Sequence, residues 1–192
     1  MPGLFKVTLL LLPFILSCGR ASVEILVEAE SFQEKGGWVV DPQFVEQMGS
    51  PYLLAHGMGF PVKNAMTRVK LPEGGEYHVW VRTKNWADGN WEAPGKFRVV
   101  IDGMELGTDL GTGSGKWAWQ YAGTAVAAGT DIIVELKDLT GFEGRCDAVY
   151  LSRGKNAPPD APEMLSDWRR RVTGESLLPE KTASFDLVVV GG

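Results

Sequence analysis

From Val23 onward the chain alternates: Val23, Ile25, Val27 and Ala29 fall on one side, with Glu24, Leu26, Glu28 and Glu30 on the other. A period of two is the mark of a strand that buries one face. Comparable runs occupy 67–71, 76–83, 97–101, 119–126, 131–137 and 146–151. In the clearest, Tyr77, Val79 and Val81 face one side while His78, Trp80 and Arg82 face the other. Turn residues separate the runs: Pro72-Glu73-Gly74-Gly75, Asp102-Gly103 and Ala128-Gly129-Thr130. Asp102-Gly103 is the strongest hairpin signal, because both positions tolerate a positive φ. Strands at short spacing without intervening helices predict an all-β jelly-roll sandwich over 23–153.

The two ends of the chain follow other patterns. Val7 to Leu16 is an apolar run behind a weakly basic start, with the length of a signal-peptide core and too short to span a bilayer. Ile15-Leu16-Ser17-Cys18 resembles a bacterial lipobox, which makes 1–18 an export signal and Cys18 a lipid attachment point for membrane anchoring. Cleavage near Gly19-Arg20-Ala21 would instead leave a secreted protein. The expected location is therefore periplasmic or cell-surface, or else secreted.

Residues 154–184 read as a linker. Asn156 to Pro162 is stiff and extended, and a short helix over 163–173 carries Met164, Leu165, Trp168 and Val172 on one side, with Gly174 as its stop. Arg169-Arg170-Arg171 reads as a solvated helix face. The run Phe185-Asp186-Leu187-Val188-Val189-Val190-Gly191-Gly192 then has the apolar, β-branched character of a buried parallel strand.

Composition narrows the functions. The 192 residues carry a formal charge of −5 and no basic stripe, which argues against nucleic acid as a partner. Two cysteines cannot form a disulfide scaffold, and two histidines with no Cys/His cluster exclude most zinc chemistry. Cys146 reads as a small buried hydrophobe, and His56 and His78 as packing or surface residues. There is no nucleophile–base pair, paired-carboxylate cleft or complete cofactor loop, so these residues are not expected to be catalytic by themselves.

Four segments resemble carbohydrate-binding modules of families 6 and 35, and the related domain of xanthan lyase-like and golvesin-like proteins. They are Val27-Glu28-Ala29-Glu30, Gly74-Gly75-Glu76-Tyr77-His78-Val79-Trp80-Val81-Arg82, Gly115-Lys116-Trp117-Ala118-Trp119 and Asp147-Ala148-Val149-Tyr150-Leu151. Their order also matches. Residues 185–192 resemble the first strand and first glycine of an FAD-binding Rossmann unit, where a glycine-rich turn lets the backbone approach a pyrophosphate. Gly191 and Gly192 would be its cofactor-binding residues, and the chain is expected to continue past them. The whole pattern resembles the N-terminal region of a bacterial exported FAD-dependent oxidoreductase.

Candidate sites follow. Glu28 and Glu30 leave the same face of a strand, and with Asp147 they would suit a hard cation. The resemblance implies a structural Ca²⁺ there, tying the first strand to the last. The alternative is solvated carboxylates, or one of them paired with Arg145. Trp86, Trp91 and Trp117 are platform candidates for a sugar ring, with Asn85, Asp88 and Asn90 as polar contacts. Packing is the alternative for each indole, and Trp80 and Trp119 are expected in the core. The expected function is an accessory, carbohydrate-binding-like region that holds its parent to a glycan or to its own catalytic domain. A stand-alone carbohydrate-binding lipoprotein and a domain–domain interaction module are the alternatives.

Overall fold

The computed structural model describes residues 23–175 together with Ser184 and Leu187. The export signal with Cys18, and the flavin-like run 185–192 apart from Leu187, with Gly191 and Gly192, lie outside the described residues. Two antiparallel sheets face each other. The larger is built from β1 (Glu24–Glu28), β2 (Trp38–Asp41), β3 (Tyr52–His56), β5 (Gly75–Thr83), β8 (Ala118–Ala127) and β10 (Phe142–Ser152). The smaller holds β4 (Ala65–Lys70), β6 (Phe97–Ile101), β7 (Met104–Glu105) and β9 (Asp131–Asp138), in the order β4-β9-β6-β7. Asp102 and Gly103 take φ values of 49° and 80° in the β6–β7 turn, as their sequence requires.

β10 is the spine of the larger sheet. One flank pairs with β3 over 142–146 and with β1 over 148–152, while the other pairs with β5. The alternation anticipated in β5 holds. Tyr77, Val79 and Val81 enter the core between the sheets, where they meet Val149 and Leu151 from β10, Val99 and Ile101 from β6, and Ile132, Val134 and Leu136 from β9. Trp80 faces outward, in register with Tyr150 on one side and Tyr121 on the other.

The outward face carries a second apolar cluster of Trp119, Ala148, Tyr150, Leu165 and Trp168, with Leu26, Trp80 and Val172 against it. Leu165, Trp168 and Val172 belong to α2 (Pro162–Thr173), a helix opened by its own proline and closed by Gly174 at φ 73°. The indoles of Trp119 and Trp168 meet edge to face at 5.7 Å, and Tyr150 meets Trp168 at 5.3 Å. The segment before α2 is not a free spacer, because the Trp119 indole N–H donates to Pro159 O at 3.3 Å.

Periodicity missed β2, β3 and the four-residue helix α1 (Val45–Met48). β2 is an edge strand with Val39 and Val40 both exposed, and β3 runs Tyr52-Leu53-Leu54 without alternation, so neither carries the period-two signature.

Truncating a buried tryptophan costs about 3–5 kcal/mol. Trp168→Ala is therefore expected to release α2 locally, so that trypsin cuts at Arg170 and Arg171 much faster while the sandwich keeps its far-UV circular dichroism. An unchanged cleavage rate would show that this cluster does not hold the helix.

Candidate functional site

The loop between β5 and β6 is fixed by its own polar residues. Buried Asn85 accepts the Ala87 N–H on Oδ1 at 3.2 Å, and its backbone N–H donates to Ser114 O at 3.1 Å. Asp88 Oδ2 accepts the Gly115 N–H at 2.9 Å, joining this loop to the one before β8. Two of the anticipated polar contacts, Asn85 and Asp88, thus have structural work, and Asn90 is exposed on the loop.

The three platform tryptophans separate. Trp86, 36% exposed, donates its indole N–H to Phe142 O at 2.9 Å and lies nearly parallel to the Phe142 ring, 12° apart with centroids 6.1 Å apart. Trp91, 65% exposed, donates to Ala87 O at 2.7 Å and lies against Gly89 of its own loop. Trp117 is half-buried between Tyr52 and Phe44, at centroid distances of 5.0 and 5.8 Å. Trp119 is buried as expected, and Trp80 is half-buried on the outward face.

Two hollows adjoin these rings. One, of about 320 Å³, is formed by His56, Met58, Gly141, Phe142 and Glu143, so it shares Phe142 with the Trp86 ledge. The other, of about 490 Å³, is more polar, with Trp117, Lys84, Lys116, Glu46 and Gln47 in its wall. The Lys84 ammonium stands 4.4 Å from the centre of the Phe44 ring, and burial followed by the nearby Arg145 charge lowers its pKa.

Sequence reasoning missed Phe142 and Arg145 as members of the site. Arg145 is 8% exposed, with its guanidinium 5.7 Å from the Trp86 ring and 3.1 Å from Glu143. Its Nε and Nη1 have no hydrogen-bond acceptor among the described residues. The signal that could have found Phe142 is the Gly141-Phe142-Glu143-Gly144 run. Gly141 and Glu143 both take left-handed φ values of 64°, which turns an apolar ring outward at the start of β10.

The carboxylates behave differently from a ligand set. β1 ends at Glu28, and Glu30 lies in a single 3-10 turn (Ala29–Ser31), although both border a hollow of about 290 Å³. Asp147 is the extra residue of a β-bulge: Cys146 pairs with Thr83 and Ala148 with Arg82. Asp147 is fully buried and both of its oxygens are engaged. Oδ1 accepts from Ser50 Oγ at 3.0 Å, while Oδ2 accepts from Arg82 Nη1 at 3.0 Å and from Arg169 Nη2. Arg169 also donates to Ser50 Oγ at 2.5 Å and stands 3.5 Å from Glu28 Oε2.

Calcium, implied by the resemblance, does not fit this arrangement. A divalent ion needs several free oxygens, and here the central carboxylate is enclosed by two guanidiniums. Among the described residues no group of three His, Cys, Asp or Glu is placed to hold a metal ion. The partner of the cluster is Arg169, and not Arg145. Arg169 belongs to the helix face anticipated as solvated but is 8% exposed. Burial pushes the Glu28 carboxyl up to about 7, ahead of the lowering pull of Arg169 and the further raising by Asp147 and Glu30. Burial likewise raises Glu30. By distance the guanidinium lies closer to Asp147 than to Glu28. Burial also raises the Cys146 thiol well above its ordinary range, in keeping with a packing role.

No protein-family model matches the chain, and no curated protein matches it in sequence. Solved structures match it in fold. The GH26-CBM35 β-(1,4)-mannanase of Podospora anserina superposes with a TM-score of 0.54 at 17% identity, over 71% of this chain and 29% of the mannanase chain. A family 35 carbohydrate-binding module from Clostridium thermocellum gives 0.53 at 17% identity, over 67% of this chain and 96% of the module. The CBM36-1 domain of a multidomain xylanase from the Trinervitermes trinervoides hindgut metagenome gives 0.50 at 18%, over 70% and 99%. The fold is that of a carbohydrate-binding-module-like jelly-roll sandwich.

Breaking a buried ion pair by removing one partner costs about 3–5 kcal/mol. Asp147→Asn, which leaves two guanidiniums without their anion, is expected to lower the urea unfolding free energy by that amount. Asp88→Asn, at an exposed hydrogen bond, should cost about 1 kcal/mol or less. Equal effects of the two would contradict the central place of Asp147.

Proposed function

We propose that residues 23–153 form the carbohydrate-binding-like accessory region of a bacterial, exported FAD-dependent oxidoreductase, and that the Trp86–Phe142 ledge is its sugar-contacting surface. The ledge carries the reading. The stacked Trp86 and Phe142 rings, fixed by an indole N–H bond and both left partly exposed, offer apolar ring surface to the C–H side of a pyranose, with His56 and Glu143 at its margin for hydroxyls. The likeness to carbohydrate-binding modules, among them ones belonging to a mannanase and a multidomain xylanase, supports the same reading.

Trp117 takes a supporting role here, since its indole is packed between Phe44 and Tyr52. The flavin half of the proposal rests on the sequence of residues 185–192. FAD would supply the hydride chemistry in the parent, with Gly191 opening the pyrophosphate turn. Export and anchoring through Cys18 rest likewise on residues 7–18.

One observation favours a second reading, in which the ledge docks another domain. Met58 and Phe60 are exposed on the loop next to Phe142, extending the apolar surface beyond one sugar ring.

Affinity electrophoresis in soluble mannan, xylan and β-glucan tests the ledge. Retardation in at least one gel, weakened about tenfold or more by Trp86→Ala with little change in melting temperature, is the expected result. Free migration in every gel, or binding by Trp86→Ala equal to that of the unaltered chain, would refute it. Reading the source DNA past the Gly192 codon tests the parent: the frame should continue as Gly-x-x-Gly and a helix.

A further inference from the structure

We propose that Arg169 serves as the sandwich's own cation: its guanidinium takes the place of a divalent ion between the first and last strands and thereby pins α2 to the sandwich without metal. The argument starts with charge. Glu28, Glu30 and Asp147 gather where β1 and the bulge of β10 meet, and Asp147 has no exposed surface. A buried carboxylate persists only beside positive charge and donated hydrogen bonds. The structure supplies both from protein: Arg82 from β5 and Arg169 from α2.

The contacts of Arg169 are those of a bound cation. They include Asp147 Oδ2, Glu28 Oε2 at 3.5 Å, Ser50 Oγ at 2.5 Å and Met48 O at 3.5 Å. They are carboxylate, hydroxyl and backbone carbonyl oxygens, the donor types that a hard divalent ion collects. A guanidinium satisfies them through directed N–H bonds instead. Oε2 of Glu28 and Oε2 of Glu30 are buried without a hydrogen-bond partner beside it. Arg169 accordingly stands in the wall of a hollow of about 290 Å³ that Glu28, Glu30 and Ser50 also line.

The helix delivers this side chain by its pattern. Leu165, Trp168, Arg169 and Val172 stand at i, i+3, i+4 and i+7 and so share one face. Three of them pack on Trp119 and Tyr150, and the fourth is carried onto Asp147 by the same docking. α2 is therefore held against the sandwich by a contact that does not depend on metal supply.

Melting temperature with and without calcium tests this on the full chain and two variants. The unaltered protein is expected to melt at the same temperature in EDTA and in excess CaCl₂, and to give no calcium heat by calorimetry. Arg169→Ala opens the oxygens of Asp147, Glu28, Glu30 and Ser50. It should melt lower in EDTA and recover about 5 °C or more with saturating CaCl₂. Arg169→Lys keeps a cation in place and should remain indifferent to calcium, which preserves the test if the alanine variant does not fold. A calcium-dependent rise in the unaltered protein, stoichiometric calcium binding to it, or a folded Arg169→Ala that ignores calcium would each overturn the proposal.

Discussion

A single fully buried carboxylate organises this molecule. Asp147 is the extra residue of a bulge, and in a regular strand its side chain would share the apolar core face with Val149 and Leu151. The bulge turns it to the outward face, beside Ala148, where Arg82 and Arg169 reach it. A buried ion pair is no automatic gain in stability, because both charges lose water. Its consequence is geometric: the anion accepts α2 in one position, since only there is its charge met. The apolar cluster around Trp168 supplies area, and Asp147 supplies register.

This division explains how much could be read from the sequence. Strands with one buried face, such as β5 and β9, announce themselves by alternation. The Asp102-Gly103 turn was equally legible, because a two-residue hairpin demands positive φ. β2 and β3 were not, since an edge strand with two exposed valines and a strand buried on consecutive positions show no period.

The candidate sites divide along the same line. Trp86 and Trp91 were singled out by their place in a Gly-bearing loop, and both lie exposed there. Phe142 and Arg145 were hidden, since their roles come from left-handed backbone at Gly141 and Glu143. Arg169 was misassigned for a physical reason. Three consecutive arginines look solvated as a block, yet their side chains fan out by about 100° per residue on a helix, so one of them shares the Leu165–Trp168 face. Arg170 and Arg171 pair with Asp167 and Glu24 near the surface, and Arg169 goes inward.

β10 joins the two functional regions. Phe142 and Arg145 stand at its beginning beside the Trp86 ledge, Asp147 in its middle, and Tyr150 near its end under Trp168. Eight strand residues span about 27 Å, so a ligand on the ledge and the helix on Tyr150 do not compete for space. Paired with β3, β1 and β5, and buried on both faces from Gly144 onward, this strand has little freedom to bend between them. Under the proposed function, a sugar held at the start of this strand and α2 docked near its end would keep a fixed distance from each other. A flexible linker at 154–175 would have left that distance free, and the Asp147–Arg169 pair is what removes that freedom.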